Sequence, residues 1–209
     1  MKQILFDLDG TLTDSGEGIM HCAELTLAHY NLPIPPRSDM RFMVGPPLRD
    51  SFLRFQIPAE ELDNAVAYYR MHYLAVGQFE NEPYPGIREL LEKLCTDGYK
   101  LYIATSKPET MATDILKYFD LAKYFTLICG AISDGSRNTK EAVIAHLLSQ
   151  LDSKADLVMV GDTIYDVNGA NFHGIPCIGV SWGYGEIPQM QKAGAEIAHS
   201  TDELYQKLQ

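Results

Sequence analysis

Unbroken apolar runs at residues 4–6, 101–104, 127–129, 157–160 and 177–180 alternate with stretches in which apolar residues return every three or four positions. Short runs of this kind, rich in β-forming residues, suit strands buried on both faces. After the turn at Pro85-Gly86, Ile87, Leu90, Leu91 and Leu94 fall on one helical face, and similar patterns cover residues 111–119 and 142–151. Strand and helix therefore take turns along the chain. The packing solution for that order is an α/β fold, a Rossmann-like doubly wound parallel sheet with helices on both faces.

One stretch interrupts the alternation. Residues 15–82 contain no convincing strand run, whereas Ile19, Cys22, Ala23, Leu25 and Thr26, and later Leu62, Ala65, Val66 and Tyr69, fit helical faces. Pro33, Pro35 and Pro36 separate one helix from the next, and Pro46-Pro47 forces a turn before a helix over residues 48–55. The pattern predicts a core domain of residues 1–14 and 83–209 with an inserted α-helical bundle, the cap, over 15–82. Hinges are expected near residues 13–16 and 80–85.

Composition narrows the function classes. A hydrophobic share of 46% supports a buried core, and a formal net charge of -11 argues against a nucleic-acid polymer or an anionic membrane surface as partner. A small anion remains compatible, because backbone N–H groups, lysines and a metal can bind phosphate locally in an acidic protein. Cys22, Cys95, Cys129 and Cys177 are widely spaced without a CxxC pair, and are read as reduced thiols in or near the core. No segment approaches the roughly 20 apolar residues of a membrane span, so a cytoplasmic location is expected. The sequence carries no signal of oligomeric state.

The candidate chemistry lies where the apolar runs end. Asp7 and Asp9 follow the first run, Thr105-Ser106-Lys107 the second and Gly161-Asp162, with Asp166, the fourth. In open α/β sheets the carboxyl edge of the strands hosts ligands, so these residues are expected to share one site, with Lys140 directed towards it from a helix start. Side chains two residues apart on a strand project to the same side, so Asp7 and Asp9 can face one small volume. Their mutual repulsion is tolerable if a cation binds or one acid stays protonated, and both conditions suit phosphate chemistry.

Asp7-Leu8-Asp9-Gly10-Thr11, Thr105-Ser106, Lys140 and Gly161-Asp162-Thr163-Ile164-Tyr165-Asp166 resemble, in order and spacing, the four motifs of the haloacid dehalogenase superfamily. The helical insert directly after the first motif is similar to the phosphoglycolate-phosphatase-like and 5′-nucleotidase-like branches. The resemblance implies that Asp7 attacks phosphorus, Asp9 moves protons, and Thr105 and Lys140 hold the transferring group, with Gly10 and the Ser106 backbone completing its cradle. It implies Mg²⁺ bound by Asp7, the Asp9 carbonyl and Asp162, with Asp166 behind them. Charge counting agrees, since three ionised aspartates and a phosphate dianion face one lysine.

Lys107 is a rival for the place given to Lys140. In the insert, Gly45-Pro46-Pro47-Leu48-Arg49 resembles the segment lowered over the substrate, and Arg49 is the candidate for reading its remote end. His21, Arg41 and Tyr69 are weaker candidates for the cleft; Tyr68, Tyr69 and Tyr73 are expected to pack the cap. Trp182 is read as shielding the core rather than stacking on a base. The expected activity is hydrolysis of a small phosphate ester, with phosphoglycolate first and a nucleoside 5′-monophosphate as alternative. A pyrophosphatase or sugar phosphomutase is a further alternative. A phospho-accepting receiver or inactive binding protein fits poorly, because the acceptor aspartate follows the first strand and every motif type is present.

Overall fold

The fold was taken from a computed structural model, which describes residues 2–132 and 136–209. Six strands form one parallel sheet: β1 (Gln3–Phe6), β4 (Lys100–Pro108), β5 (Phe125–Ala131), β6 (Leu157–Gly161), β7 (Cys177–Val180) and β8 (Glu196–Ala198). Their spatial order is β5-β4-β1-β6-β7-β8. The chain builds outward from β1 on one side, then crosses to β6 on the other, which leaves a crevice beyond the carboxyl end of β1.

Alternation along the strands divides the core into two layers. Ile4, Phe6, Leu101, Ile103 and Val160 face α4 (Ile87–Thr96), α5 (Glu109–Tyr118) and α9 (Thr201–Leu208). Leu5, Tyr102, Ala104 and Met159 face α6 (Lys140–Ser149), α7 (Ile164–Phe172) and α8 (Ile187–Lys192). Each run reads as continuously apolar because helices cover both faces. The fold class is that expected from sequence. The three-residue β8 and the helices α8 and α9 carry no comparable signal and were not foreseen.

Residues 16–79 add only helical elements: α1 (Gly16–His29), α2 (Leu48–Arg54) and α3 (Leu62–Ala75), with short 3₁₀ turns between them. They enclose a separate apolar cluster that includes Cys22, Leu27, Met40, Phe52, Ala65 and Tyr69. The two connections to the sheet pair with each other as a short antiparallel ribbon, β2 (Thr13–Asp14) with β3 (Glu82–Pro83). Tyr184 fastens this ribbon, since its hydroxyl bonds to Asp14 and accepts from Gly16 N–H at 3.0 Å.

The four cysteines are free thiols; Cys22, Cys129 and Cys177 are buried, but Cys95 is exposed on the outer side of α4. The expectation of a near-core position for Cys95 is thus corrected, because the inward face of α4 is filled by Ile87, Leu90, Leu91 and Leu94. Among the described residues, no helix is long and apolar enough to cross a membrane.

Candidate active site

The carboxyl ends of β1, β4 and β6 and the start of α6 deliver their polar side chains to one buried cluster. Asp7, just past β1, is 5% exposed. Its Oδ1 accepts from Leu8 N–H at 2.7 Å and lies 3.0 Å from Lys140 Nζ, which fixes the carboxylate's orientation. Lys140 opens α6 and is buried; its Nζ lies 2.7 Å from Asp166 Oδ1 and donates to the Ala104 carbonyl at 3.0 Å. Asp166 Oδ2 accepts from the Thr163 N–H and hydroxyl at 3.0 and 2.9 Å, capping the start of α7. Both Asp166 oxygens are therefore engaged by protein groups.

Asp162 is fully buried beyond β6, where Oδ1 accepts from the Thr11 hydroxyl at 3.1 Å and Oδ2 from Tyr184 N–H at 2.8 Å. Two glycines make room for it. Gly10 has φ +79°, and a Cβ there would stand 2.1 Å from Asp162 Oδ2; at Gly183 it would meet Asp162 Cβ at 2.3 Å and the Gly10 carbonyl at 2.4 Å.

Burial pushes the Asp7 carboxyl up to about 7; Lys140 opposes the rise and Asp166 adds to it. Asp162 is driven well above the usual carboxylate range by burial and by Asp166 and Asp7. Burial works against the Lys140 ammonium, but Asp166 and Asp7 outweigh it and hold its pKa above the ordinary lysine value. Negative charge thus exceeds what one lysine can offset.

Carboxylate oxygens of Asp7, Asp162 and Asp166 all lie within 4.8 Å of one another. An all-oxygen donor set short of positive charge fits a hard divalent cation such as Mg²⁺. Glu109, Cys129 and His146 also converge, but there Arg137 already lies 2.5 Å from Glu109 Oε2, and the Gln150 amide contacts both Cys129 and His146.

Asp9 stands apart from the converging carboxylates. Lys107 Nζ donates to its two oxygens at 2.9 and 2.8 Å and to the Tyr73 hydroxyl at 2.7 Å. The two lysines thus occupy different places, Lys140 with Asp7 and Asp166, Lys107 with Asp9. Thr105 is buried beside Asp7 and accepts from Lys107 N–H at 3.2 Å; Ser106 lines the adjoining cleft.

That cleft is a cavity of about 400 Å³ between sheet edge and cap. Arg49 lines it but is exposed and ion-paired with Asp63. His21 turns to Glu80 at 2.8 Å, and Arg41 donates to the Gly183 carbonyl at 3.1 Å across the Tyr184 ring. Tyr68 stacks on His29, whereas Tyr69 and Tyr73 stack on each other within the cap and also line the cleft. Trp182 packs edge-on against Tyr84 and donates to the Thr11 carbonyl at 3.1 Å, a packing role. Tyr73, Arg70 and Tyr184 were not singled out for the site from sequence. For the first two a signal exists, since α3 positions 63, 66, 70 and 73 share a helical face.

Comparison with known proteins bears on this geometry. The haloacid dehalogenase-like hydrolase family matches over residues 4–180. The tyrosine-protein kinase PtkA of Mycobacterium tuberculosis is 41% identical, over 98% of this chain and 72% of its own. A 5′-nucleotidase of Pseudomonas aeruginosa is 38% identical, over 90% of this chain and 86% of its own. The crystal structure of a "predicted phosphatase" from Clostridium acetobutylicum superposes with a TM-score of 0.94 at 42% identity, covering 99% of this chain and 97% of that one.

Proposed function

We propose that this chain, which belongs to the haloacid dehalogenase-like hydrolase family, is a Mg²⁺-dependent phosphomonoesterase that hydrolyses a small phosphorylated metabolite through an aspartyl phosphate on Asp7. The observation that carries the reading is the convergence of Asp7, Asp162 and Asp166 about Lys140 at the point where the strand order reverses. Mg²⁺ held by Asp7, the Asp9 carbonyl and Asp162 would supply charge neutralisation for the phosphoryl oxygens.

The Asp7 carboxylate attacks phosphorus, and a P–O bond to Asp7 forms as the bond to the leaving alcohol breaks. Asp9 enters the cycle protonated and gives that proton to the departing oxygen, then regains one from the water that cleaves the acyl phosphate, releasing inorganic phosphate and restoring Asp7. Lys140 and the Thr105 hydroxyl hold phosphoryl oxygens, with the Ser106 N–H and the loop at Gly10 around them. Asp166 keeps Lys140 in place. The cap excludes bulk water, and Arg49, ion-paired with Asp63, lines the outer end of the cleft.

Phosphoglycolate is the first substrate candidate and a nucleoside 5′-monophosphate the second. A screen of phosphoglycolate, nucleotides, sugar phosphates and pyrophosphate should show Mg²⁺-dependent phosphate release from at least one monoester. No release from any of them would end this reading. The relative named a tyrosine-protein kinase supports a second reading, passage of the Asp7 phosphoryl group from a nucleotide to a tyrosine hydroxyl instead of water. ATP consumption that requires a tyrosine-containing peptide, and yields a phosphopeptide, would favour it.

A further inference from the structure

The cations around the cleft are nearly all engaged. Lys140 lies between Asp7 and Asp166, Lys107 on Asp9, Arg49 on Asp63, Arg137 on Glu109, and Arg41 on the Gly183 carbonyl. Arg70 differs. It lines the cleft and is half-buried, yet among the described residues it makes no hydrogen bond, ion pair or ring contact. A guanidinium that gives up part of its hydration without gaining a partner is an unfavourable arrangement until an anion arrives.

Its place along α3 says which anion. Asp63, Val66, Arg70 and Tyr73 all line the cleft, and their 3-4-3 spacing puts them on one face of the helix. The Tyr73 end marks the reaction centre, because its hydroxyl meets Lys107, which holds Asp9. Arg70 stands one turn further out, about 4.5 Å along the helix axis, and Asp63 with Arg49 about 10 Å beyond that. An ester attacked by Asp7 and protonated by Asp9 must carry its leaving group past this end of α3.

Charge in the cleft points the same way. With the proton that Asp9 delivers still on it, ionised Asp7, Asp162 and Asp166 and the reacting phosphate dianion bring five negative charges against four positive ones on Lys107, Lys140 and a divalent cation, so none is left over for a further anion. A second anionic group on the substrate therefore needs a cation of its own, and of the cations lining the cleft Arg49 and Lys107 are already ion-paired, which leaves Arg70.

We infer that Arg70 binds an oxyanion on the leaving group, a carboxylate or a second phosphoryl group, and so selects anionic phosphate esters over neutral ones. The planar guanidinium pairs with either through two parallel hydrogen bonds. The assignment rests on the phosphatase reading.

The test compares wild type, R70M and R70K on three esters. Phosphoglycolate carries a carboxylate, fructose 1,6-bisphosphate a second phosphoryl group, and 2-hydroxyethyl phosphate a neutral leaving group. In R70M the preference for the anionic ester should fall by about 10- to 100-fold in kcat/KM, mainly through KM, with part recovered in R70K. The ester whose preference collapses identifies the anion. Turnover of the neutral ester reports that each variant is folded. A preference in R70M within about twofold of wild type, or a wild type that favours neither anionic ester, overturns the assignment and leaves the phosphatase reading standing. Absence of phosphate release from all three by the wild type overturns the Arg70 assignment, and absence across the wider screen of nucleotides, sugar phosphates and pyrophosphate overturns the phosphatase reading as well.

Discussion

Lys107 holds both carboxylate oxygens of Asp9, at 2.9 and 2.8 Å, in a pair whose side chains are only 5% and 13% exposed. The same ammonium donates to Tyr73 on the cap helix α3, so the proposed proton carrier is tied to the insert through one atom. The geometry gives Lys107 a task distinct from that of Lys140.

Removing Lys107 leaves Asp9 without its partner. K107M should destabilise the fold by about 3–5 kcal/mol in urea titrations and lower kcat, while Y73F should lower kcat less. If the lysine transmits the cap's position to Asp9, the Y73F effect disappears in the K107M background. Fully additive effects in that double-mutant cycle would refute the coupling.

Asp7 should leave a pH signature in the metal-free protein. Its folded-state pKa, about 7, lies above the ordinary 3.8, chiefly through burial. Below about 4 both folded and unfolded chains are protonated there, and Asp7 has no effect. As pH rises to about 7 the unfolded chain gives up this proton more readily than the folded one, so the stability present at low pH is lost and the loss is complete above 7. Thermal melts in EDTA should show Tm falling across this window, with a shallower fall in D7N. That variant should also lose phosphate release and form no acyl phosphate; undiminished turnover would remove Asp7 as nucleophile.

Mg²⁺ should bind with proton release near neutral pH, because it displaces protons that burial and repulsion retain on the aspartates. Calorimetry in buffers of different ionisation enthalpy measures this directly. D162A should weaken binding by at least about tenfold and abolish the rise in Tm on adding Mg²⁺. An unaltered Mg²⁺ dependence would take Asp162 out of the ligand set.

Gly183 lies far from the motif residues in sequence but against Asp162 in space. G183A would drive a methyl into the Asp162 side chain and the Gly10 carbonyl, contacts of 2.3 and 2.4 Å that only displacement can relieve. Metal affinity and kcat should both fall, whereas the far-UV spectrum should stay that of wild type. Unchanged metal affinity would show that the 181–185 loop moves aside freely.

The strands were legible because helices on both faces make each one a continuous apolar word; β8 was not, since it is three residues long and opens on an exposed Glu196. Asp7, Thr105 and Asp162 were legible because strand ends point them to one edge, and Asp166 because it falls in the first turn of the helix that follows β6. Tyr73 and Arg70 were hidden for a different reason. Their partners lie across the join between insert and sheet, and local spacing on α3 says which residues share a face but not what stands opposite. Cys95 misled because its neighbours Leu91 and Leu94 are buried while it turns outward.

The ribbon of Thr13–Asp14 with Glu82–Pro83 brings the two ends of the insert side by side, about 5 Å apart. A chain that leaves and re-enters at one spot can be exchanged for another without re-threading the sheet. Asp7, Thr105, Lys140, Asp162 and even Lys107 stay behind with the strands, whereas Arg49, Arg70 and Tyr73 travel with the insert. On the proposed function the sheet is a reaction centre with a detachable reader, and grafting a different helical segment onto positions 14 and 82 should change the substrate while the chemistry at Asp7 is kept.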